Sequence, residues 1–141
     1  MQLSKVLWLI AAALILLSSG AIAAPTSKVR VGLDAIFQGD YDTVLRNKRI
    51  GLVTNHTAVN SQLDSSIDLF LAHAEEKKFT LVALFAPEHG INGSSYANKG
   101  VTDTEGPNGI PIHSLYGDTR RPTDAMLKGI NLIIYDIQDI G

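Results

Sequence analysis

The chain has 141 residues, a formal net charge of −2 at pH 7 and no cysteine. Without cysteine there is no disulfide framework, no thiol nucleophile and no cysteine to carry a lipid anchor. The mild negative charge provides no basic patch, so we expect no nucleic-acid partner. Charges of both signs are distributed along the chain, which is typical of the solvated surface of a globular domain.

The amino-terminal residues have the pattern of a secretory signal peptide. Lys5 provides a short positive region, an apolar run covers 6–17, and AIA at 21–23 is a small-x-small cleavage pattern. The alternative is an uncleaved membrane anchor, but this apolar run is short against the roughly 20 residues that span hydrocarbon. We therefore predict a cleaved signal peptide over 1–24, a periplasmic or secreted product, and no stable membrane anchor.

The remaining residues, 25–141, alternate apolar runs of strand length with helical stripes. We predict strands at 29–33, 49–55, 79–85 and 131–136, and helices at 34–46, 63–78 and 124–128. Gly39 interrupts the first helical pattern, and the span 87–122 is rich in glycine and proline and is predicted to be irregular. Near-continuous apolar strands separated by helices predict an α/β fold with a doubly wound, mostly parallel sheet.

The last predicted strand, 131–136, is strongly apolar and is followed by neither a closing helix nor a polar tail. A sheet strand in that position needs cover on both faces. We therefore expect the chain to be the amino-terminal piece of a longer protein.

Polar residues whose side chains can bind a ligand or take part in catalysis are concentrated after the predicted strands. In a doubly wound sheet, ligands bind outside the carboxyl ends of the strands. The residues that follow the strands are Asp34, Thr54, Asn55, His56, Pro87, Glu88, His89, Asp136, Gln138 and Asp139. Their concentration predicts a binding or catalytic site at this edge.

Several kinds of site are disfavoured by the motifs. Neither G-x-G-x-x-G nor G-x-x-x-x-G-K-[ST] is present, so a nucleotide site is not expected, and there is no G-x-S-x-G serine elbow. His56, His89, Glu88 and Asp136 have side chains that suit zinc or manganese, but they include no closely spaced pair such as H-x-x-x-H. We assign no metal ligand and no cofactor, and keep a metal site as an alternative.

Glu88 is the strongest candidate for acid/base chemistry. It lies between Pro87 and Gly90 on a turn that follows an apolar strand. It could stabilise that turn, or it could act as a general acid or base. Glycoside hydrolysis typically needs two carboxyl groups, and Asp136 and Asp139 are possible partners for Glu88.

Five segments, in order, carry a family resemblance: VGLDAIF, KRIGLVTNHTAV, LVALFAPEHGI, GIPIHSLYGDTRRPT and IIYDIQDIG. With them the chain resembles the amino-terminal part of the exo-β-N-acetylmuramidase (NamZ) family. The resemblance implies a Rossmann-like domain over 25–141, a smaller domain beyond the carboxyl terminus and a cleft between the two. It also implies a hydrolase that releases N-acetylmuramic acid from the non-reducing end of peptidoglycan fragments during cell-wall turnover.

The same resemblance implies roles for individual residues. Glu88 of PEHG becomes the catalytic residue and His89 its support, while the residues assigned to substrate binding are Asn55, His56, Asp136, Gln138 and Asp139. Tyr116 and Arg120 are added on chemical grounds, because aromatic faces suit sugars and guanidinium groups suit carboxylates. The loop 91–101 holds no acid, so we assign no catalytic role there. The alternative is an exported muropeptide-binding module, or an inactive remnant with half a cleft.

Overall fold

The computed structural model describes residues 29–87, 90–93 and 104–138. The predicted signal peptide lies outside these ranges. So do the two catalytic candidates, Glu88 and His89, and the substrate-binding candidate Asp139.

A five-stranded sheet forms the centre of the domain. Its strands are β1 (Arg49–Thr54), β2 (Thr80–Ala86), β3 (Thr104–Glu105), β4 (Pro111–Ser114) and β5 (Leu132–Asp136). Their order across the sheet is β3-β4-β2-β1-β5. The strands β1, β2, β4 and β5 are parallel, and the short β3 is antiparallel to β4. The predicted α/β class with a mostly parallel sheet is confirmed.

Four helices accompany the sheet in the described residues: α1 (Gly32–Ile36), α2 (Asp42–Leu45), α3 (Ser66–Lys77) and α4 (Asp124–Leu127). The α3 helix begins where the Ser65 side chain accepts a hydrogen bond from the Asp68 amide. The Thr123 side chain caps α4 in the same way. Between α1 and α2 the chain passes Gly39, whose φ of 96° is left-handed, so the predicted interruption of the first helix is confirmed.

The predicted strand at 29–33 is wrong. Residues 29–31 belong to no strand, and the chain becomes helical at Gly32. A strand needs a neighbour for its backbone hydrogen bonds, and this segment pairs with none of the five strands of the described sheet. Val29 is 84% exposed, whereas the helix places Leu33 in the core.

The span 87–122, predicted to be irregular, contains two strands and a 3₁₀ turn. The β4 strand pairs in parallel with β2, and the Pro107–Gly109 turn connects it to β3. Proline is tolerated at the first position of a strand, because that position can dispense with the missing N–H. Pro111 is the first residue of β4. With the glycine and proline residues before it, it gives this segment the sequence pattern of a turn, so the strand was not predicted.

Helices cover both faces of the sheet, as the doubly wound class requires. On one face α1 and α3 pack over a buried cluster, which consists of Leu33, Leu45, Ile50, Leu52, Phe70, Phe79, Leu81 and Leu84. On the other face α4 and the residues after it pack over Val53, Ala83 and Phe85. No helix in the described ranges is long and apolar enough to cross a bilayer.

Candidate functional site

The four parallel strands end side by side. Thr54 at the end of β1 pairs with Asp136 of β5, and Ala86 of β2 pairs with Ser114 of β4. The pairing of Val53 with Phe85 places Thr54 next to Ala86. We call these four residues the strand-end row. Because side chains alternate along a strand, the row lies on the face that α1 and α3 cover.

Small and polar side chains make up the strand-end row. Thr54, Ala86 and Ser114 are buried, and Asp136 is half-buried. Apolar residues fill the sheet immediately below, since Leu52 and Leu84 have no exposed surface. The row is therefore the boundary between the core and the polar loops that follow the strands.

Asp136 carries a buried oxygen without a hydrogen-bond partner. Its Oδ2 atom is inaccessible to solvent and accepts no hydrogen bond from any described residue. The side chain also lines a pocket of about 150 Å³ with Gly32, Leu33 and Phe70. Leaving a carboxylate oxygen unsatisfied costs free energy, so the position favours a hydrogen-bond donor.

The loop after β1 holds Asn55 in a fixed orientation. Its Oδ1 atom accepts hydrogen bonds from the Thr57 amide at 2.9 Å and from the Thr57 hydroxyl at 2.6 Å. This arrangement is an Asx turn, in which an asparagine side chain bonds to the backbone two residues later. The Nδ2 group of Asn55 has no partner among the described residues and can donate to a ligand oxygen.

The loops after β1 and β5 are joined by a hydrogen bond. The Gln138 amide donates to the Thr57 hydroxyl at 3.2 Å. Two predicted binding residues, Asn55 and Gln138, therefore stand on loops that contact each other. The strand order also reverses here, because β2 and β4 lie on one side of β1 and β5 lies on the other. Such a reversal is where doubly wound proteins bind ligands.

His56 contacts the loop that follows β2. A Cβ atom built on Gly93 would lie 2.3 Å from His56 Cε1 and Nδ1, so the imidazole rests directly on the glycine backbone. In the same loop the Gly90 amide donates to the Pro87 carbonyl at 3.1 Å. The structure thus brings His56 to the segment that contains positions 88 and 89.

Tyr116 and Arg120 lie together beyond β4. The Arg120 guanidinium carbon is 4.5 Å from the centre of the Tyr116 ring, a cation–π distance. The Tyr116 amide donates to the Ser114 hydroxyl at 3.1 Å, which connects this pair to the strand-end row. One face of the ring is therefore covered by Arg120, and the guanidinium itself is exposed.

The sequence did not identify Thr57 or Ser114 as site residues. Thr57 could have been found, because a threonine two positions after an asparagine fits an Asx turn. Ser114 could not be found while β4 was read as a loop. Asp34, by contrast, belongs to α1 and does not follow a strand.

Metal-ligand clusters are absent from residues 29–87, 90–93 and 104–138. No group of three or more His, Asp or Glu side chains there is arranged to hold a metal ion. That statement does not extend to Glu88, His89 or Asp139, which lie outside those ranges.

A mostly parallel sheet with helices on both faces and polar loops at its carboxyl edge defines an α/β domain of the doubly wound class, whose members bind ligands at that edge. Within that class, residues 50–141 match the family described as "Exo-beta-N-acetylmuramidase NamZ, N-terminal". The chain belongs to this family, which confirms the resemblance seen in its motifs.

Individual relatives agree with the family assignment. The chain is 43% identical over 115 residues to the peptidoglycan β-N-acetylmuramidase NamZ of Bacillus subtilis strain 168, an alignment that covers 81% of this chain and 27% of the relative. A crystal structure of a DUF1343 family protein from Bacteroides fragilis is 42% identical with a TM-score of 0.64, over 79% of this chain and 27% of that one. A second such protein from the same organism is 33% identical with a TM-score of 0.57, over 82% and 27%. The chain thus spans 27% of the length of each relative.

Proposed function

We propose that the complete protein that carries this chain is a glycoside hydrolase that releases N-acetylmuramic acid from the non-reducing end of peptidoglycan fragments. The observation that supports this proposal most strongly is the 43% identity to a peptidoglycan β-N-acetylmuramidase over 81% of the chain. The biological setting that follows is cell-wall turnover and recycling. Residues 1–24 would direct the protein to the periplasm or the medium, where that substrate is made accessible.

Glu88 is proposed as the general acid or base, with His89 in support. In the sequence both positions directly follow Pro87, which comes after the carboxyl end of β2, and they precede Gly93, which contacts His56. A carboxyl group at that edge could protonate the glycosidic oxygen as the bond to the leaving sugar breaks. The second carboxyl group is assigned to Asp136, to Asp139 or to the part of the protein beyond this chain.

The binding groups have complementary hydrogen-bonding chemistry. The carboxylate of the half-buried Asp136 accepts a hydrogen bond from a sugar hydroxyl or from the acetamido N–H. The Nδ2 group of Asn55 donates to a sugar oxygen. His56, Gln138 and Asp139 supply further polar contacts in the same loops.

Tyr116 and Arg120 are proposed to bind the portion of the sugar that carries the lactyl group. The exposed guanidinium can pair with the lactyl carboxylate in two parallel hydrogen bonds. Its cation–π contact with Tyr116 limits its freedom before the substrate arrives. N-acetylglucosamine lacks the lactyl group, so this pair would favour muramic acid.

The shared 27% coverage supports the proposal of a second, smaller domain that completes a cleft over the strand-end row. The complete protein should therefore hydrolyse peptidoglycan fragments, and the 141-residue chain alone should bind them weakly without hydrolysing them. Half a cleft leaves a substrate too mobile for the alignment that catalysis needs.

The test uses two peptidoglycan disaccharides that differ in their non-reducing sugar. One begins with N-acetylmuramic acid and the other with N-acetylglucosamine, and free sugar is followed by mass spectrometry. The proposal predicts release from the first substrate only. If the first substrate is bound but recovered intact from the complete protein, the function is that of an exported muropeptide-binding module.

A further inference from the structure

The Thr57 hydroxyl makes two hydrogen bonds of opposite direction. It donates its proton to Asn55 Oδ1 at 2.6 Å, and its oxygen accepts the proton of the Gln138 amide at 3.2 Å. A hydroxyl group has one proton to give and two lone pairs to receive, so both bonds are satisfied together. Serine would keep this chemistry, whereas valine, of nearly the same shape, would lose both bonds.

These two bonds join the loops on either side of the reversal in strand order. Asn55 directly follows β1, and Gln138 lies two residues after the end of β5. Among the described residues no other hydrogen bond connects the two loops. The backbone pairing of Thr54 with Asp136 ends just before them. Thr57 therefore continues the connection between β1 and β5 past the end of the sheet.

We propose that Thr57 is a positioning residue for the site. It holds the carboxamide of Asn55 and the backbone at Gln138 in one fixed relation, so that groups from both loops meet the same sugar. This inference rests on the proposed function for its kinetic consequence. Its structural part stands on the hydrogen bonds alone.

Three variants of the complete protein test the proposal. Thr57→Val removes the hydroxyl, Thr57→Ser keeps it, and Thr80→Val removes an exposed hydroxyl at the opposite end of the sheet. The first readout is amide hydrogen exchange at Gln138, whose amide has Thr57 as its partner. We expect exchange about threefold faster or more in Thr57→Val, which corresponds to the loss of an ordinary hydrogen bond. Thr57→Ser and Thr80→Val should match the parent.

The second readout is kcat and KM for release of N-acetylmuramic acid. Misplaced binding groups should lower kcat/KM by about 10-fold to 100-fold in Thr57→Val. The kcat/KM of Thr57→Ser should remain within about threefold of the parent value. If Thr57 acted only through packing, Thr57→Ser should lose activity, because serine lacks the methyl group.

Unchanged Gln138 exchange in Thr57→Val would overturn the proposal, and so would equal kinetic losses in the valine and serine variants. If the parent protein releases no sugar, the proposed function fails. The exchange comparison between valine and serine still decides whether Thr57 positions the two loops.

Discussion

The His56 imidazole and the Gly93 backbone are in direct contact. A Cβ atom at Gly93 would lie 2.3 Å from two ring atoms, so a larger residue there would force the exposed His56 side chain to move. The φ angle of Gly93 is 65°, in the left-handed region that glycine adopts freely. The loop after β1 and the loop after β2 are thus packed together at a left-handed glycine.

Gly93→Ala should destabilise the protein by more than the strain of its backbone. A left-handed alanine costs about 1–2 kcal/mol, and the clash with His56 adds to that value. Urea unfolding gives the free energy of each variant. Gly39→Ala is the matched control, because Gly39 is also left-handed but has nothing within 4 Å of a built Cβ atom.

The comparison can be refined with His56→Ala. In the double variant the clash is absent, so the combined loss of free energy should be smaller than the sum of the two single losses. Equal losses for Gly93→Ala and Gly39→Ala would contradict the contact between His56 and Gly93.

Gly51→Ala should also be costly, for a different reason. A Cβ atom at Gly51 would lie 2.8 Å from side-chain carbons of Ile133 and Phe85, within the sheet face that α4 covers. Overpacking of this kind typically costs about 1–3 kcal/mol. Gly32→Ala has open space around it and lies in α1, so it should be neutral or stabilising. A neutral Gly51→Ala would show that the two side chains can move aside.

Lys77 should give the stability of the domain an alkaline dependence. Its ammonium nitrogen is 3.1 Å from Asp42 Oδ1, and its side chain is only 10% exposed. The hydrogen bond to Asp42 is the main cause that raises the pKa of Lys77 above its ordinary value. A raised pKa in the folded state stabilises the protein fully below the unfolded pKa of about 10.4, and this contribution is lost as pH rises through the folded pKa.

The measurement is the urea midpoint of the parent and of Lys77→Met from pH 7 to pH 11. The variant keeps the apolar stem but has no group to titrate. The difference between the two proteins should therefore be constant near neutral pH and shrink at the alkaline end. Curves that stay parallel throughout would argue against the Lys77–Asp42 pair.

Asp136→Asn should separate ligand binding from folding. The substitution leaves the shape of the side chain unchanged and removes its charge, so muropeptide affinity should fall by about 1.5–3 kcal/mol, as for a lost hydrogen bond to a charged group. Titration calorimetry on the complete protein gives the affinity. Asp124→Asn, on an exposed position of α4, should leave it unchanged. Equal affinities for the parent and Asp136→Asn would remove Asp136 from the binding site.

The long, regular elements of the fold could be predicted from the sequence. The strands β1 and β2 are apolar runs bounded by polar loops, and α3 is a twelve-residue helix with a serine cap. The two strands are buried along most of their length, and α3 has a regular apolar stripe that contains the buried Phe70, so the sequence patterns are strong. The strand predicted at 29–33 failed because pairing depends on which neighbours are already present in the sheet. That information is in the tertiary structure and not in the local pattern.

The residues of the candidate site were likewise predicted only in part. The rule that ligands bind at the carboxyl ends of parallel strands placed Asn55, His56, Asp136 and Gln138 at one edge, and the structure brings their loops together. The Asx turn of Asn55 and Thr57 is a local feature, but the hydrogen bond from the Gln138 amide to the Thr57 hydroxyl joins residues 81 positions apart and escaped prediction. Long-range contacts of this kind depend on the strand order, which a local pattern does not specify.

The central claim is that Glu88 is the acid/base residue of a β-N-acetylmuramidase. The most direct test is the rate at which the complete protein and its Glu88→Gln variant release N-acetylmuramic acid, with Glu75→Gln on the exposed side of α3 as the control. The account predicts a loss of about 10²–10⁴-fold for Glu88→Gln and none for the control, with both variants folded. A Glu88→Gln protein that works within a few fold of the parent rate would contradict it.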